Sequence, residues 1–179
     1  MTEHNAWLLA VPFLFPAFFF GIARQDVARR MADMSGYSAR EKAFTVAASL
    51  APYPFLIATI WTPFTTSMPF FYCGLVLYGI GLVMFYAAVR AFAAAVPDRT
   101  LSAGIYRLSR NPMYVGAALV FLGICLVTAS VLLFSCLIII MVLQHFMILA
   151  EERVCRQKYG AAYEKYFAGV PRYLRFPVV

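Results

Sequence analysis

Residues 113–150 read MYVGAALVFLGICLVTASVLLFSCLIIIMVLQHFMILA, a run of 38 residues without an Asp, Glu, Lys or Arg. As a single α-helix this run would be about 57 Å long, nearly twice the thickness of the hydrocarbon core of a bilayer. The run must therefore fold back on itself, and Thr128-Ala129-Ser130 is the polar place near its middle. We expect a tight helical hairpin that turns at residues 128–130 and joins two membrane spans.

The composition of the whole chain also points to a lipid environment. Of its 179 residues, 63% are hydrophobic and 13% are charged, and the mean hydropathy is +0.77. Soluble domains are about 45–50% apolar and about 25% charged, so a soluble domain of this size could not bury so much apolar surface. Disordered chains are poor in aromatic residues, which make up 17% here. The sequence therefore predicts an all-α integral membrane protein.

Five membrane spans account for the apolar runs. We predict one transmembrane domain over residues 1–179, with a polar tail at 151–179 and spans at about 6–23, 43–62, 70–96, 112–128 and 130–150. The first run lacks the preceding basic residues of a secretory signal, so we expect it to be retained. Pro52 and Pro54 predict a kink in the second span, and Pro97 is expected to end the third.

The positions of the basic residues support an odd number of spans. Five of the 15 Lys and Arg residues lie at 24–42, four lie at 90–110 and six lie in the tail. With five spans all three segments share one side of the membrane, as the positive-inside rule requires. We therefore expect a cell inner or plasma membrane protein whose N-terminus is outside and whose tail is cytoplasmic.

Three short patterns predict where further helices lie. Val27, Met31 and Met34 recur at helical spacing in the basic segment, which is typical of a helix that lies on a membrane. Ser38 and Glu41 have the spacing of a capping box, which predicts that a helix starts there. The tail is expected to form an amphipathic helix that Gly160 weakens, with one stripe made of Cys155, Tyr159, Tyr163 and Tyr166.

Neither nucleic acid nor a metal is an expected partner. The net charge is +7, but no basic run interleaved with aromatic residues lies outside the apolar segments. The cysteines lack the C-x-x-C spacing of a zinc site, and we interpret them as small hydrophobic side chains: Cys73, Cys125, Cys136 and Cys155.

The polar residues best able to carry chemistry gather at the cytoplasmic ends of the last two spans. Arg110 and Asn111 lie in the loop that enters the fourth span, and Glu151-Glu152 follows the fifth. If the hairpin is tight, these clusters face each other and form a charged pocket at the lipid–water boundary. His145 shares a helical face with Glu152, and we interpret it as a hydrogen-bonded interior residue.

Three stretches in this part of the chain form a pattern: GIYRLSRNPMYVG at 104–116, EE at 151–152 and KYGAAYEKY at 158–166. This pattern resembles the isoprenylcysteine carboxyl methyltransferase and phospholipid methyltransferase superfamily, small integral-membrane enzymes that use S-adenosylmethionine (SAM). The superfamily has a histidine where this chain has Asn111, and a leucine where it has Cys155. An asparagine can form hydrogen bonds but cannot titrate, so it could position a cofactor but not act as a base.

The resemblance implies a SAM-dependent methyltransferase and a set of site residues. The catalytic candidates are Arg110, Asn111 and Glu152. The cofactor-binding candidates are Gly79, Gly81, Tyr106, Arg110, Asn111, Pro112, Tyr114, Glu151, Glu152 and Tyr163. An arginine suits the carboxylate of SAM, and a glutamate suits its ribose hydroxyls or its amino group. For the G-x-G at 79–81, close packing between helices is the alternative.

The expected partners are membrane lipids and a lipid-like or membrane-partitioned methyl acceptor that enters between the spans. A carboxylate is ionised at neutral pH and needs no base, whereas an ammonium group must first lose a proton. With Asn111 in place of the histidine, an acceptor that needs no strong base is favoured, such as a carboxylate or a thiolate. We expect a carboxylate of the prenylcysteine type, and a phospholipid amine is the alternative. A reductase of the sterol-reductase type and a non-catalytic membrane component stay open as other classes.

Overall fold

The computed structural model describes residues 5–65, 68–96 and 100–174, with only the backbone at residues 16–23. The regular structure in these ranges is helical, which confirms the all-α prediction. The helices are α1 (Trp7–Ala23), α2 (Gln25–Met31), α3 (Ala39–Leu50), α4 (Pro52–Ala58), α5 (Met68–Ala94), a 3-10 helix (Gly104–Arg107), α6 (Pro112–Thr128) and α7 (Val131–Gly169).

Two of these helices, α5 and α7, are long and apolar enough to cross a membrane, and α6 is a shorter apolar helix. The apolar part of α7, residues 131–150, is about 30 Å long and matches the hydrocarbon core of a bilayer. Glu151 and the residues after it therefore extend beyond the span. These helices agree with a membrane protein, while the number of five spans stays a prediction.

The first part of the predicted tail helix continues α7 beyond the predicted span. The helix is interrupted at Gly160, where the backbone is not helical (φ is 53° and ψ is −132°), and a second helical part follows and ends at Gly169. Glycine adopts this backbone conformation readily because it has no Cβ atom. Gly160 therefore redirects the last part of α7 and does more than weaken it.

The second apolar run is divided into α3 and α4, as its prolines predict. Pro52 opens α4, where a missing N–H leaves no hydrogen bond unmade. The predicted capping box is confirmed: Ser38 N donates to Glu41 Oε2 at 2.7 Å, and Glu41 N donates to Ser38 Oγ at 3.3 Å. Pro97 and Arg99, which the sequence places after α5, lie outside the described residues.

Ala129 and Ser130 connect α6 to α7. Ala129 has a left-handed backbone with φ of 49°, which ends α6. Ser130 begins α7 because its hydroxyl accepts a hydrogen bond from Leu133 N at 3.3 Å. The buried core close to this connection is formed by large apolar side chains of α4, α6 and α7: Phe55, Phe121, Ile124, Leu133 and Ile140.

Two glycine pairs bring α5 and α6 into backbone contact. A Cβ atom added at Gly81 would lie 2.6 Å from Val120 N, and one added at Gly116 would lie 2.6 Å from Phe85 N. Gly74 and Gly123 face each other in the same way seven residues along, where each added Cβ would lie 2.7 Å from the other's carbonyl oxygen. Such close approach is typical of helix interfaces that rely on small residues.

We expect Gly81→Ala to lower the free energy of unfolding by about 1–3 kcal/mol, because the new methyl group meets backbone that cannot rotate away. Gly79→Ala is the matched control, since a Cβ at Gly79 meets nothing within 4 Å. Its melting temperature should stay the same or rise slightly, because alanine favours the helix. Thermal unfolding of both purified variants in one detergent measures the difference, and equal melting temperatures would contradict the packing role.

Candidate functional site

A cavity of about 490 Å³ lies at the end of the helices where the apolar part of α7 stops. Its wall is formed by α2, the last turn of α5, the 3-10 helix, the start of α6 and residues 151–166 of α7. Cavities of about 300–1,000 Å³ are the usual size for small-molecule sites. Charged and aromatic side chains both contribute to this wall.

The structure brings together most of the residues that the sequence suggests. Eight of the ten cofactor-binding candidates line the cavity: Tyr106, Arg110, Asn111, Pro112, Tyr114, Glu151, Glu152 and Tyr163. Gly79 and Gly81 are not among the described residues of its wall. The part of α5 that does line it begins at Phe92, about 16 Å along the helix from Gly81. The geometry therefore favours the packing alternative for Gly81.

Glu152 is the most heavily bonded side chain of the site. Its Oε1 accepts hydrogen bonds from Arg110 Nε at 3.1 Å and Asn111 Nδ2 at 3.3 Å. Its Oε2 accepts from Arg172 Nη2 at 2.8 Å and Arg172 Nε at 3.0 Å. Burial by itself would raise the pKa of this carboxyl, but the hydrogen bonds from Arg172 and the charges of both arginines outweigh it and lower the pKa. Glu152 is therefore an anion that is neutralised within the protein.

Arg110 is occupied by the protein itself. Its Nε and Nη2 both lie 3.1 Å from Glu152 Oε1, and its Nη1 donates to Phe167 O and Val170 O at 2.7 Å each. The guanidinium also lies 3.7 Å from the centre of the Phe167 ring. An arginine has five N–H donors, so few are left for a ligand. This does not agree with the expectation that Arg110 binds the carboxylate of SAM.

The C-terminal segment, residues 170–174, folds back onto the loop before α6. Pro171 O accepts a hydrogen bond from Arg110 N at 2.9 Å. Arg172 O accepts from Ser109 Oγ at 3.0 Å and from Asn111 Nδ2 at 3.1 Å. The side chain and the backbone of Arg172 therefore both fasten this segment to the residues of the predicted site.

Glu151 differs from its neighbour in its surroundings. Tyr114 donates its hydroxyl proton to Glu151 Oε1 at 2.5 Å. Burial raises the pKa of Glu151 to about 7, with a smaller contribution from the charge of Glu152, although the hydrogen bond from Tyr114 acts in the opposite direction. At neutral pH this carboxyl group can therefore both give and take a proton at the cavity wall.

Aromatic residues form another part of the wall and hold the loop in place. Tyr166 donates its hydroxyl proton to Tyr106 O at 2.7 Å, which ties α7 to the 3-10 helix. Tyr163 packs edge-on against Tyr166, with 5.8 Å between the ring centres. Gly104 starts the 3-10 helix with a φ of 60°, a conformation that favours glycine.

An ion pair outside the predicted set fixes the other side of the cavity. Arg153 donates to Glu41 Oε1 at 2.7 Å and to Glu41 Oε2 at 2.6 Å, and also to Gly36 O at 2.8 Å. The hydrogen bonds from Arg153, together with those from Ser38, lower the pKa of Glu41 to about 2. The capping box of α3 is thereby fastened to α7, next to Tyr37 of the cavity wall.

The motif-bearing part of the chain also matches a known family. A sequence model of phospholipid methyltransferases matches residues 70–162, just over half of the 179 residues. The chain belongs to the phospholipid methyltransferase family. This family of integral-membrane SAM-dependent methyltransferases is related to the isoprenylcysteine carboxyl methyltransferases, which confirms the resemblance seen in the sequence. No curated protein and no solved structure gives a significant match.

Membership of the phospholipid methyltransferase family identifies a membrane methyltransferase domain. The match spans α5 to the first part of α7 and leaves α1 to α4, Tyr163 and the C-terminal segment outside it. Arg172, which completes the Glu152 cluster, is a residue that sequence reasoning missed. Its only signal in the sequence is its positive charge, and the other basic residues of the tail carry the same charge.

His145 lies outside the cavity wall as far as the structure is described. Its Nδ1 is 2.6 Å from the hydroxyl oxygen of Tyr173, in the C-terminal segment. This contact agrees with the interpretation of His145 as a hydrogen-bonded residue, and it adds a further attachment for the segment.

We expect Glu152→Gln to lower the free energy of unfolding by about 3–5 kcal/mol, because it leaves two arginines without their buried partner. The C-terminal segment should then detach, so that trypsin cleaves after Arg172 at a rate that intact-mass spectrometry can follow. Glu164→Gln is the control, since Glu164 forms an exposed ion pair with Arg156 and should change stability by less than about 1 kcal/mol. Equal protection of the C-terminal segment from trypsin in both variants would contradict the role of Glu152 in holding this segment.

Proposed function

We propose that the protein transfers a methyl group from SAM to a lipid-like or membrane-partitioned acceptor. The observation that carries this proposal is the 490 Å³ cavity at the end of a long apolar helix, whose wall is formed mostly by residues inside the stretch that matches the family. The position of this cavity just past Ala150 would admit a cofactor from water and an acceptor headgroup from the lipid–water boundary.

The residues of the cavity suit the chemistry of SAM. SAM carries a carboxylate, an ammonium group, a sulfonium cation, ribose hydroxyls and an adenine ring. The wall supplies carboxylates, cations and aromatic faces for these groups, and two buried polar atoms in it, Arg30 Nε and Thr100 Oγ1, have no hydrogen-bond partner among the described residues. Glu151 would hold the ribose or the amino group, and Tyr106 and Tyr163 would flank the adenine ring.

When bound, the cofactor would supply a methyl group on a positively charged sulfur, and this sulfur would keep the electron pair of the C–S bond when the acceptor's lone pair takes the methyl group. The protein's work is to hold donor and acceptor in line and to exclude water. Glu152, Arg110 and Asn111 contribute by fixing the loop and the C-terminal segment around the cavity. We therefore propose them as positioning residues, with Glu151 facing the reacting groups.

The acceptor expected from the sequence is a carboxylate of the prenylcysteine type, which reacts without a base. A phospholipid amine is the second candidate, and Glu151 is the observation that favours it. An ammonium headgroup must give up one proton before its nitrogen can accept a methyl group, and a carboxyl group with a pKa of about 7 can take that proton. The site and the C-terminal segment are proposed to face the cytoplasm, with the N-terminus outside, following the positive-inside rule.

Methyl-labelled SAM tests the reaction directly. Purified protein in native lipid, or with added prenylcysteine, should move label into the lipid fraction at a rate well above a protein-free control. Label released by alkali as methanol would identify a carboxylate acceptor, and alkali-stable label would identify an amine or a thiolate acceptor. If neither transfer nor binding of SAM occurs, the proposal fails and a non-catalytic role is favoured.

Glu151→Gln separates the two acceptor classes, provided that S-adenosylhomocysteine still binds to the variant. With an amine acceptor, we expect at least a tenfold fall in rate at pH 7, because the proton has no acceptor. With a carboxylate acceptor the rate at saturating SAM should change little. Glu164→Gln should behave like the wild type with either acceptor, because its carboxylate lies on the exposed surface of α7.

Binding of SAM should become tighter as the pH rises through 7. Glu151 is mostly protonated at pH 6 and mostly ionised at pH 8, and the cationic cofactor favours the ionised form. We expect the Kd to fall by roughly tenfold over this range, and to be nearly flat in Glu151→Gln. Calorimetric titrations at several pH values measure the Kd. If the Kd depends on pH in the same way in Glu151→Gln, another group causes the effect.

A further inference from the structure

Arg30 is a cavity residue that lies outside the part of the chain matched by the family. Its Nη1 donates to Ala95 O at 3.0 Å and its Nη2 donates to Phe92 O at 3.2 Å. These carbonyls are at the C-terminal end of α5, where a cation is favoured by the helix dipole. Arg30 therefore joins α2 to the end of α5 and forms the cavity wall between them.

Two polar atoms of residues that line this cavity lack partners. Arg30 Nε is buried without a hydrogen-bond partner among the described residues, and so is Thr100 Oγ1. Both side chains line the same cavity. Unpaired buried donors are rare in folded proteins, because they lose their hydrogen bonds to water without replacing them. A ligand that accepts hydrogen bonds would satisfy both.

The other cations of the wall are less suited to hold an anion. Arg110 already binds Glu152 and two carbonyl oxygens, so binding a ligand there would break contacts that hold the C-terminal segment. Lys158 offers a flexible single ammonium group, whereas a guanidinium offers a planar set of donors that fits a carboxylate. Arg30 has donors to spare, because its two hydrogen bonds use two of the five.

We propose that Arg30 and Thr100 bind the carboxylate of the cofactor's methionine moiety. This inference rests on the proposed function and assigns to Arg30 the role that the sequence suggested for Arg110. Arg30 supplies the positive charge and its free N–H groups, and the Thr100 hydroxyl donates a further hydrogen bond. Both unpaired atoms are enclosed by protein, so binding requires their side chains to turn toward the ligand.

Two ligands that differ in one part separate this role from a structural one. S-adenosylhomocysteine has the amino acid moiety, and 5′-methylthioadenosine has the same nucleoside without it. Calorimetry on the full chain in lipid nanodiscs gives a Kd for each. Arg30→Met should raise the Kd for S-adenosylhomocysteine by about 10- to 100-fold and leave that for methylthioadenosine within about twofold. Arg30→Lys should retain part of the affinity for S-adenosylhomocysteine that Arg30→Met loses. Thr100→Val should raise the Kd for S-adenosylhomocysteine by a smaller factor and should also leave that for methylthioadenosine nearly unchanged.

Lys158→Met is the comparison variant, because Lys158 is a cavity cation outside the proposed pair. We expect it to raise the Kd for S-adenosylhomocysteine less than Arg30→Met does. If Arg30→Met raises the Kd of both ligands equally, Arg30 only shapes the end of α5 and the inference is overturned. Unchanged binding of both would overturn it as well. If the wild type binds neither ligand, the proposed function itself fails, so the two failures are distinguishable.

Discussion

The buried cluster around Glu152 is the interaction on which the rest of this site depends. One carboxylate receives Arg110 and Asn111 from the loop before α6 and Arg172 from the C-terminal segment. A buried carboxylate without partners would be very unfavourable, so these three groups and Glu152 require one another. The cluster thereby fixes three separate parts of the chain at a single point. The cavity beside it keeps its shape because these parts cannot move apart independently.

The same cluster explains why two adjacent glutamates have different properties. Glu152 receives two cations and stays ionised, whereas Glu151 accepts a hydrogen bond from the neutral hydroxyl of Tyr114. The charge of Glu152 also favours a proton on Glu151. Neighbouring carboxyl groups with pKa values pushed apart are typical of sites that need one fixed charge and one exchangeable proton. In the proposed function, Glu152 supports the site and Glu151 is the group that exchanges a proton.

The sequence predicted the helical membrane class, the capping box at Ser38 and the grouping of most site residues, because each depends on local pattern or on a motif of fixed spacing. It did not predict what those residues contact. A motif places Arg110 near Glu152, but only the folded chain shows that carbonyls of α7 and the C-terminal segment occupy the remaining donors. Arg172 and Arg30 lie far from the motif, so their roles depend on tertiary contacts without a local signal. The G-x-G at 79–81 does not line the described cavity wall. Its pattern could not predict this, because helix packing and cofactor contact both select glycine.

The contacts of the Glu152 cluster explain why an asparagine can occupy position 111 in place of the family's histidine. Its Nδ2 donates one hydrogen to Glu152 Oε1 and the other to the backbone oxygen of Arg172, so one amide group serves two acceptors. A neutral histidine has a single N–H to donate, and a charged histidine would add a third cation around one carboxylate. With Arg172 already supplying the second charge, asparagine satisfies both acceptors without changing the balance. The asparagine at position 111 and the arginine at position 172 therefore form one consistent arrangement around Glu152.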